Sequence, residues 1–136
     1  MIGIVLVSHS GLLAEGLADM ARQITGGDVP VLAAGGGPDG TLGTDPDRIA
    51  AAVREAEAGD GVLVLVDLGS AVLSVRALLA DGDLDGARVA LADAPLVEGA
   101  IAAGVAAAAG AAAAGGSAGG SAGGGGVTAF IPTLVS

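Results

Sequence analysis

Four short apolar runs limit what this chain can fold into more than any other feature. They span residues 2–7 (Ile-Gly-Ile-Val-Leu-Val), 29–33, 62–66 and 88–92. A strand with one face in water alternates apolar and polar side chains, whereas a strand covered on both faces reads as a continuous run. These runs are largely continuous, and helical patterns lie between them. Leu13, Leu17, Met20 and Ile24 line one face of a first helix that Gly26-Gly27 ends. Asp45-Pro46-Asp47 supplies an N-cap, a first-turn proline and an acid at the positive end of the dipole, ahead of Ile49, Val53 and Ala56 and a stop at Gly59. A third helix is predicted from Ser70 through Leu73 and Ala77 to Asp81-Gly82, and a fourth after Pro95 with Leu96 and Glu98 in its first turn. Strand and helix alternating four times predicts an α/β fold: an open parallel sheet of four strands, order 2-1-3-4, with helices on both faces.

At 136 residues the chain makes one domain. Hydrophobic residues reach 52%, but Ala and Gly supply much of that, so the core must be thin and closely packed. Phe130 is the only aromatic residue, which removes base-stacking and sugar-stacking surfaces. A net charge of -10 excludes binding that works by neutralising phosphates, hence no nucleic acid. With no cysteine there is no thiol nucleophile and no Cys-based metal site, which fits the cytoplasm. The apolar run at residues 2–7 has no basic segment before it and reads as a buried strand, not a secretory leader. Residues 99–116 are apolar enough to raise the question of a membrane span. Their bulk is Ala and Gly with no basic flank, so a soluble Ala-rich helix is expected, and no membrane partner.

These patterns place a domain over residues 1–113 and a flexible Gly/Ser-rich segment over 114–126. The tail, 127–136, turns apolar again around Pro132 and reads either as an additional edge strand or as a frayed end.

In an open α/β sheet, ligands bind beyond the carboxyl ends of the strands, where the strand order reverses. The first strand delivers Ser8-His9-Ser10-Gly11 there, and the third delivers Asp67-Leu68-Gly69-Ser70. If those strands are neighbours, His9 and Asp67 meet. A carboxylate that takes the proton of one imidazole nitrogen frees the lone pair of the other for attack on phosphorus. Backbone N–H groups at the helix starts after Ser10 and Gly69 can hold phosphate oxygens without a metal. The loop of residues 35–44 is glycine-rich but lacks a P-loop lysine. Its Gly43 permits close backbone approach, and Thr44 offers a hydroxyl. Each residue also has a plainer role: Asp67 and Ser70 as helix caps, Gly43-Thr44 as a turn, Glu98 as a first-turn acid. Their combination carries the functional reading.

Four segments resemble one family in register: Ile-Val-Leu-Val-Ser-His-Ser at 4–10, Gly-Thr-Asp at 43–45, Val-Asp-Leu-Gly-Ser-Ala at 66–71 and Ala-Pro-Leu-Val-Glu-Gly-Ala at 94–100. The family is that of the phosphotransferase subunits of phosphoenolpyruvate-dependent dihydroxyacetone kinase, which share the fold of mannose-type IIA domains. The resemblance covers about residues 1–110. It implies a phosphoryl relay, with His9 accepting phosphate from HPr on Nε2 and Asp67 orienting the ring through Nδ1. Gly43, Thr44, Gly69 and Ser70 match the loops bordering that histidine, and together with Ser10 and Gly11 they are the expected phosphate-binding residues. The resemblance further implies a homodimer, no cofactor or metal on this chain, and ADP as acceptor on the kinase's nucleotide-binding subunit.

Some members of the family carry fused HPr-like and enzyme I-like domains; none is expected over these 136 residues, so separate carriers are expected. The Gly/Ser segment stands where a last helical region belongs. The loop Asp-Leu-Gly-Ser-Ala lacks the tryptophan and additional glycine of sugar-transporting IIA domains, which favours the kinase branch. The alternatives are a IIA component feeding a mannose-type sugar permease, and a regulatory module whose partner reads the phosphorylation state of His9. A nucleotide-binding flavodoxin-like domain fits less well, because the phosphate-binding lysine and the aromatic residues are missing.

Overall fold

A computed structural model of the chain describes residues 1–82, 84 and 86–116, the last six by backbone alone. The order of elements is β1 (Gly3–Ser8), α1 (Gly11–Thr25), β2 (Val31–Gly35), α2 (Pro46–Ala56), β3 (Val62–Val66), α3 (Gly69–Asp81), β4 (Val89–Leu91) and α4 (Leu96–Gly116). All pairings are parallel, in the order β2-β1-β3-β4. The predicted sheet is therefore the one observed. Most of the Gly/Ser segment and the whole tail, with its expected edge strand, lie outside the described residues; positions 114–116 belong to α4.

Side chains of alternate residues divide the core into two layers. Val5 and Val7 of β1, with Val62 and Val64 of β3, face α2 and α3. Ile4 and Leu6, with Leu63 and Leu65, face α1 and α4. Both central strands are thus covered on both sides, which is why their sequences do not alternate. Burying a Val, Leu or Ile contributes about 1.5–3 kcal/mol, against about 0.8 kcal/mol for a single methyl. The strands therefore supply most of the hydrophobic stabilisation, while the Ala-rich helices supply close approach.

That close approach corrects the predicted helix faces. Of Leu13, Leu17, Met20 and Ile24, only Leu17 is buried in α1, and it is joined by Ala14, Ala18 and Ala21. A Cβ placed on Gly35 of β2 would lie 2.8 Å from the Ala14 methyl and 2.6 Å from the Ser10 carbonyl oxygen, so nothing larger than the Ala14 methyl fits where the first turn of α1 meets the end of β2. Likewise α3 buries Ala71, Val75 and Leu78 and leaves Leu73 and Ala77 exposed. β2 begins two residues later than predicted and ends at Gly35, paired with Ser8. α2 starts as its sequence indicates, with the Asp47 N–H donating to Asp45 Oδ1 at 3.1 Å. No helix among the described residues is long and apolar enough to cross a membrane.

Candidate functional site

The strand order reverses between β1, which is followed in the chain by β2 on one side, and β3 on its other side. A crevice at the carboxyl ends of β1 and β3 is the expected ligand site in such a sheet. Val7 pairs with Val66, and the ladder continues one step further with the Asp67 N–H donating to the Val7 carbonyl (3.2 Å). Register therefore brings Asp67 level with Ser8, one residue below His9.

His9 lies between two side chains of the β3–α3 connection. Its Nδ1 is 2.9 Å from Asp67 Oδ1, and its Nε2 is 2.6 Å from Ser70 Oγ. An ionised carboxylate only accepts, so Nδ1 carries the proton and donates it to Asp67. Nε2 then holds the lone pair and accepts from the Ser70 hydroxyl. The His9 side chain remains 20% exposed, and its Nε2 contact with Ser70 lies in the exposed part of the site.

Asp67 accepts from four donors. Oδ1 takes the His9 ring proton and the Leu68 N–H (2.8 Å); Oδ2 takes the Ser8 hydroxyl (2.8 Å) and the His9 backbone N–H (3.0 Å). Burial pushes this carboxyl up, but the hydrogen bonds from His9, Ser8 and Leu68 together outweigh it and hold the group below its usual range. Asp67 is thus a fixed negative charge beside the ring, and the plainer reading of it as a helix cap does not hold. The position before α3 belongs to Leu68, with no side-chain cap bond, and the helix begins at Gly69, one residue before Ser70.

The remaining predicted residues divide by what they touch. Ser70, in the first turn of α3, reaches Nε2 directly, and Gly69 opens that helix beside it. The Gly43 N–H donates to the His9 carbonyl (3.0 Å), tying the loop after β2 to the histidine backbone. Ser10 instead caps α1, its hydroxyl accepting from the Leu13 N–H (3.2 Å). Gly11 begins α1 against Gly35, where a Cβ on Gly35 would come within 2.8 Å of its Cα. The Thr44 hydroxyl bonds Ser74 Oγ (3.0 Å).

Three residues in this region were not singled out from the sequence. Ser8 is fully buried and bonds Asp67. Ser74, one turn after Ser70, joins α3 to the loop of Thr44. Arg48 donates to the Gly35 carbonyl (2.6 Å) at the end of β2. Ser8 had one visible signal: a lone hydroxyl ending a strand of valines and leucines, directly before the only histidine. Among the described residues no cluster of three or more His, Cys, Asp or Glu could hold a metal ion. The arrangement is suited to nucleophilic attack by Nε2, with the charge that develops on the ring balanced by Asp67.

Comparison with known proteins places the chain in a family. The family described as PTS system fructose IIA component matches residues 3–115. A phosphoryl donor subunit of PEP-dependent dihydroxyacetone kinase, DhaM, from Pantoea ananatis is 44% identical over 107 residues, covering 76% of this chain and 23% of the relative. The corresponding subunit from Escherichia coli is 42% identical, again over 76% of this chain and 23% of the relative. One from Listeria innocua, kinase 2, is 40% identical over 76% of this chain and 83% of its own length. The chain thus spans about a quarter of the longer relatives and most of the shorter one. A crystal structure of EF1359, a protein of unknown function, superposes with a TM-score of 0.66 at 36% identity, covering 79% of this chain and 83% of that one. The chain belongs to the PTS fructose IIA component family and, within it, groups with the DhaM phosphoryl donor subunits.

Proposed function

We propose that this chain is the phosphoryl donor subunit of a dihydroxyacetone kinase, relaying a phosphoryl group on His9 Nε2 from phosphorylated HPr to ADP on the kinase's nucleotide-binding subunit. The observation that carries the reading is the placement of His9: Nδ1–H on Asp67, and Nε2 presented at the start of α3. In the first transfer the Nε2 lone pair attacks the phosphorus of the carrier's phosphohistidine. The carrier's P–N bond breaks as the Nε2–P bond forms, and Nδ1 keeps its proton on Asp67. The Ser70 hydroxyl, released from the lone pair, turns to a phosphoryl oxygen, beside the first N–H groups of α3. In the second transfer a terminal phosphate oxygen of ADP attacks phosphorus, and the electrons of the Nε2–P bond return to Nε2. This chain supplies no cofactor and no metal, works in the cytoplasm as a homodimer, and never contacts the sugar. The names of its relatives support the kinase assignment.

Incubation with phosphoenolpyruvate, enzyme I and HPr is expected to give an acid-labile phosphate on the wild-type chain and none on His9→Ala. Full labelling of that variant would overturn the assignment. The family description, a sugar IIA component, favours one second reading, in which the chain feeds a sugar permease. Reconstitution separates the two, since only the kinase subunit restores phosphorylation of dihydroxyacetone with the other kinase subunits.

A further inference from the structure

We propose that Ser8 is a positioning residue for His9, its buried hydroxyl clamping the Asp67 carboxylate in the orientation that keeps the proton on Nδ1 and the lone pair on Nε2. The proposal rests on the relay reading of His9 given above.

Ser8 ends β1 and is the one polar side chain fully buried among the described residues. Its hydroxyl makes two bonds of opposite sense, donating to Asp67 Oδ2 (2.8 Å) and accepting from the Ser10 N–H (3.0 Å). Its carbonyl accepts from the Gly36 N–H (3.1 Å). One residue therefore fixes the loops after β1, β2 and β3 to each other. Of the four groups that donate to Asp67, two are backbone N–H groups and one is the His9 ring itself; the Ser8 hydroxyl is the only other side chain.

The carboxylate torsion of an aspartate is broad and has low barriers. With Ser8 in place, each oxygen is held by two donors and the plane of the group is set. Without it, Oδ2 keeps only the His9 N–H, the plane can turn, and Oδ1 no longer stays in line with Nδ1–H. A loosened carboxylate also discriminates less between the two ring tautomers, and the tautomer with its proton on Nε2 has no lone pair there to attack phosphorus. A merely structural Ser8, satisfying the Ser10 N–H, would affect stability and leave the ring proton where it is.

The test uses the full chain labelled with nitrogen-15, the ring nitrogens of His9 being read by long-range proton–nitrogen correlation. The wild type is expected to carry its proton on Nδ1. Ser8→Ala is expected to show a mixture of tautomers, and a maximal rate of phosphoryl acceptance from phosphorylated HPr reduced roughly tenfold to a hundredfold. Its KM for the carrier should be unchanged, because a fully buried residue cannot touch the carrier. Ser8→Thr, which keeps the hydroxyl, is expected to restore both the Nδ1 proton and the rate to within a few fold. Should the alanine variant fail to fold, Ser8→Cys fills the same space with a weak donor and is expected to show the same mixture. A wild-type tautomer in the alanine or cysteine variant overturns the proposal, as does a threonine variant no better than alanine. The tautomer reading requires no phosphoryl donor. A wild-type chain that accepts no phosphate would therefore defeat the relay while leaving the Ser8 result to be decided on its own.

Discussion

Replacing Asp67 by asparagine removes one charge and changes the shape of the site hardly at all, so its effects can be worked from the hydrogen bonds. All four neighbours of the carboxylate donate, and asparagine can accept on only one side. If the amide nitrogen takes the place of Oδ2, it faces the His9 N–H, and the Ser8 hydroxyl loses its acceptor. Two donors in a partly buried position are left unmatched. If the nitrogen takes the place of Oδ1, only the Leu68 N–H is opposed, in the exposed part of the site, while His9 Nδ1 can switch to accepting. Each unmatched donor costs about 1–3 kcal/mol, so the second orientation is favoured by about that amount, roughly fivefold to a hundredfold in population. It obliges the ring proton to move to Nε2. The expected result for Asp67→Asn is a folded chain less stable by about 1–3 kcal/mol, with its imidazole mainly in the Nε2–H form. Phosphoryl acceptance should fall on the order of 10²–10⁴-fold, the range seen when general-base function or its supporting carboxylate is lost. Nitrogen-15 chemical shifts report the tautomer, and single-turnover labelling from phosphorylated HPr reports the rate. A variant that keeps the proton on Nδ1, or that accepts phosphate at the wild-type rate with the proton moved, would refute this reasoning.

Asp67 also makes stability depend on acidity. Its carboxyl is held below the usual range, so its contribution is complete above the ordinary value of about 3.9 and is lost as the pH falls through the lowered folded-state value. Denaturant curves for the wild type and Asp67→Ala should therefore converge on acidification, and a gap independent of pH would contradict the assignment. Gly35→Ala would force a Cβ to within 2.6 Å of the Ser10 carbonyl; it should destabilise by about 1–3 kcal/mol, and a neutral result would show that α1 yields easily. Gly16 is exposed in α1, and an added Cβ there meets nothing within 4 Å, so Gly16→Ala should stabilise by about 0.5–1 kcal/mol in thermal unfolding. Ser10→Ala removes the cap of α1 and should cost about 1 kcal/mol, measured in the same way.

What the sequence disclosed followed from local rules and from strand adjacency. Continuous apolar runs gave parallel, doubly covered strands, and Asp45-Pro46 started α2 where capping chemistry places it. The pairing of His9 with Asp67 needed one assumption, that β1 and β3 are neighbours, and that adjacency is present. The buried face of α1 was not legible, because a hydrophobicity pattern favours the larger Leu13, Met20 and Ile24 over Ala14, Ala18 and Ala21. It has no means of registering that Gly35 brings β2 within contact of the Ala14 methyl, which sets the small residues of α1 against the sheet at that end. For the same reason Ser8 passed as a flanking residue: its role depends on a carboxylate fifty-nine positions away. Ser10 and Thr44 stand in the right loops, but their hydroxyls are committed to Leu13 and Ser74, commitments set by where α1 and α3 begin and not by composition.

The central claim is that Nε2 of His9 receives the phosphoryl group while Nδ1 keeps its proton on Asp67. Phosphorus-31 and nitrogen-15 spectra of the chain, recorded after phosphorylation by phosphoenolpyruvate, enzyme I and HPr, test it most directly. The predicted result is phosphorus bonded to Nε2 of His9, with the Nδ1 proton still present. Phosphorus on Nδ1, on another residue, or on no residue at all would contradict it.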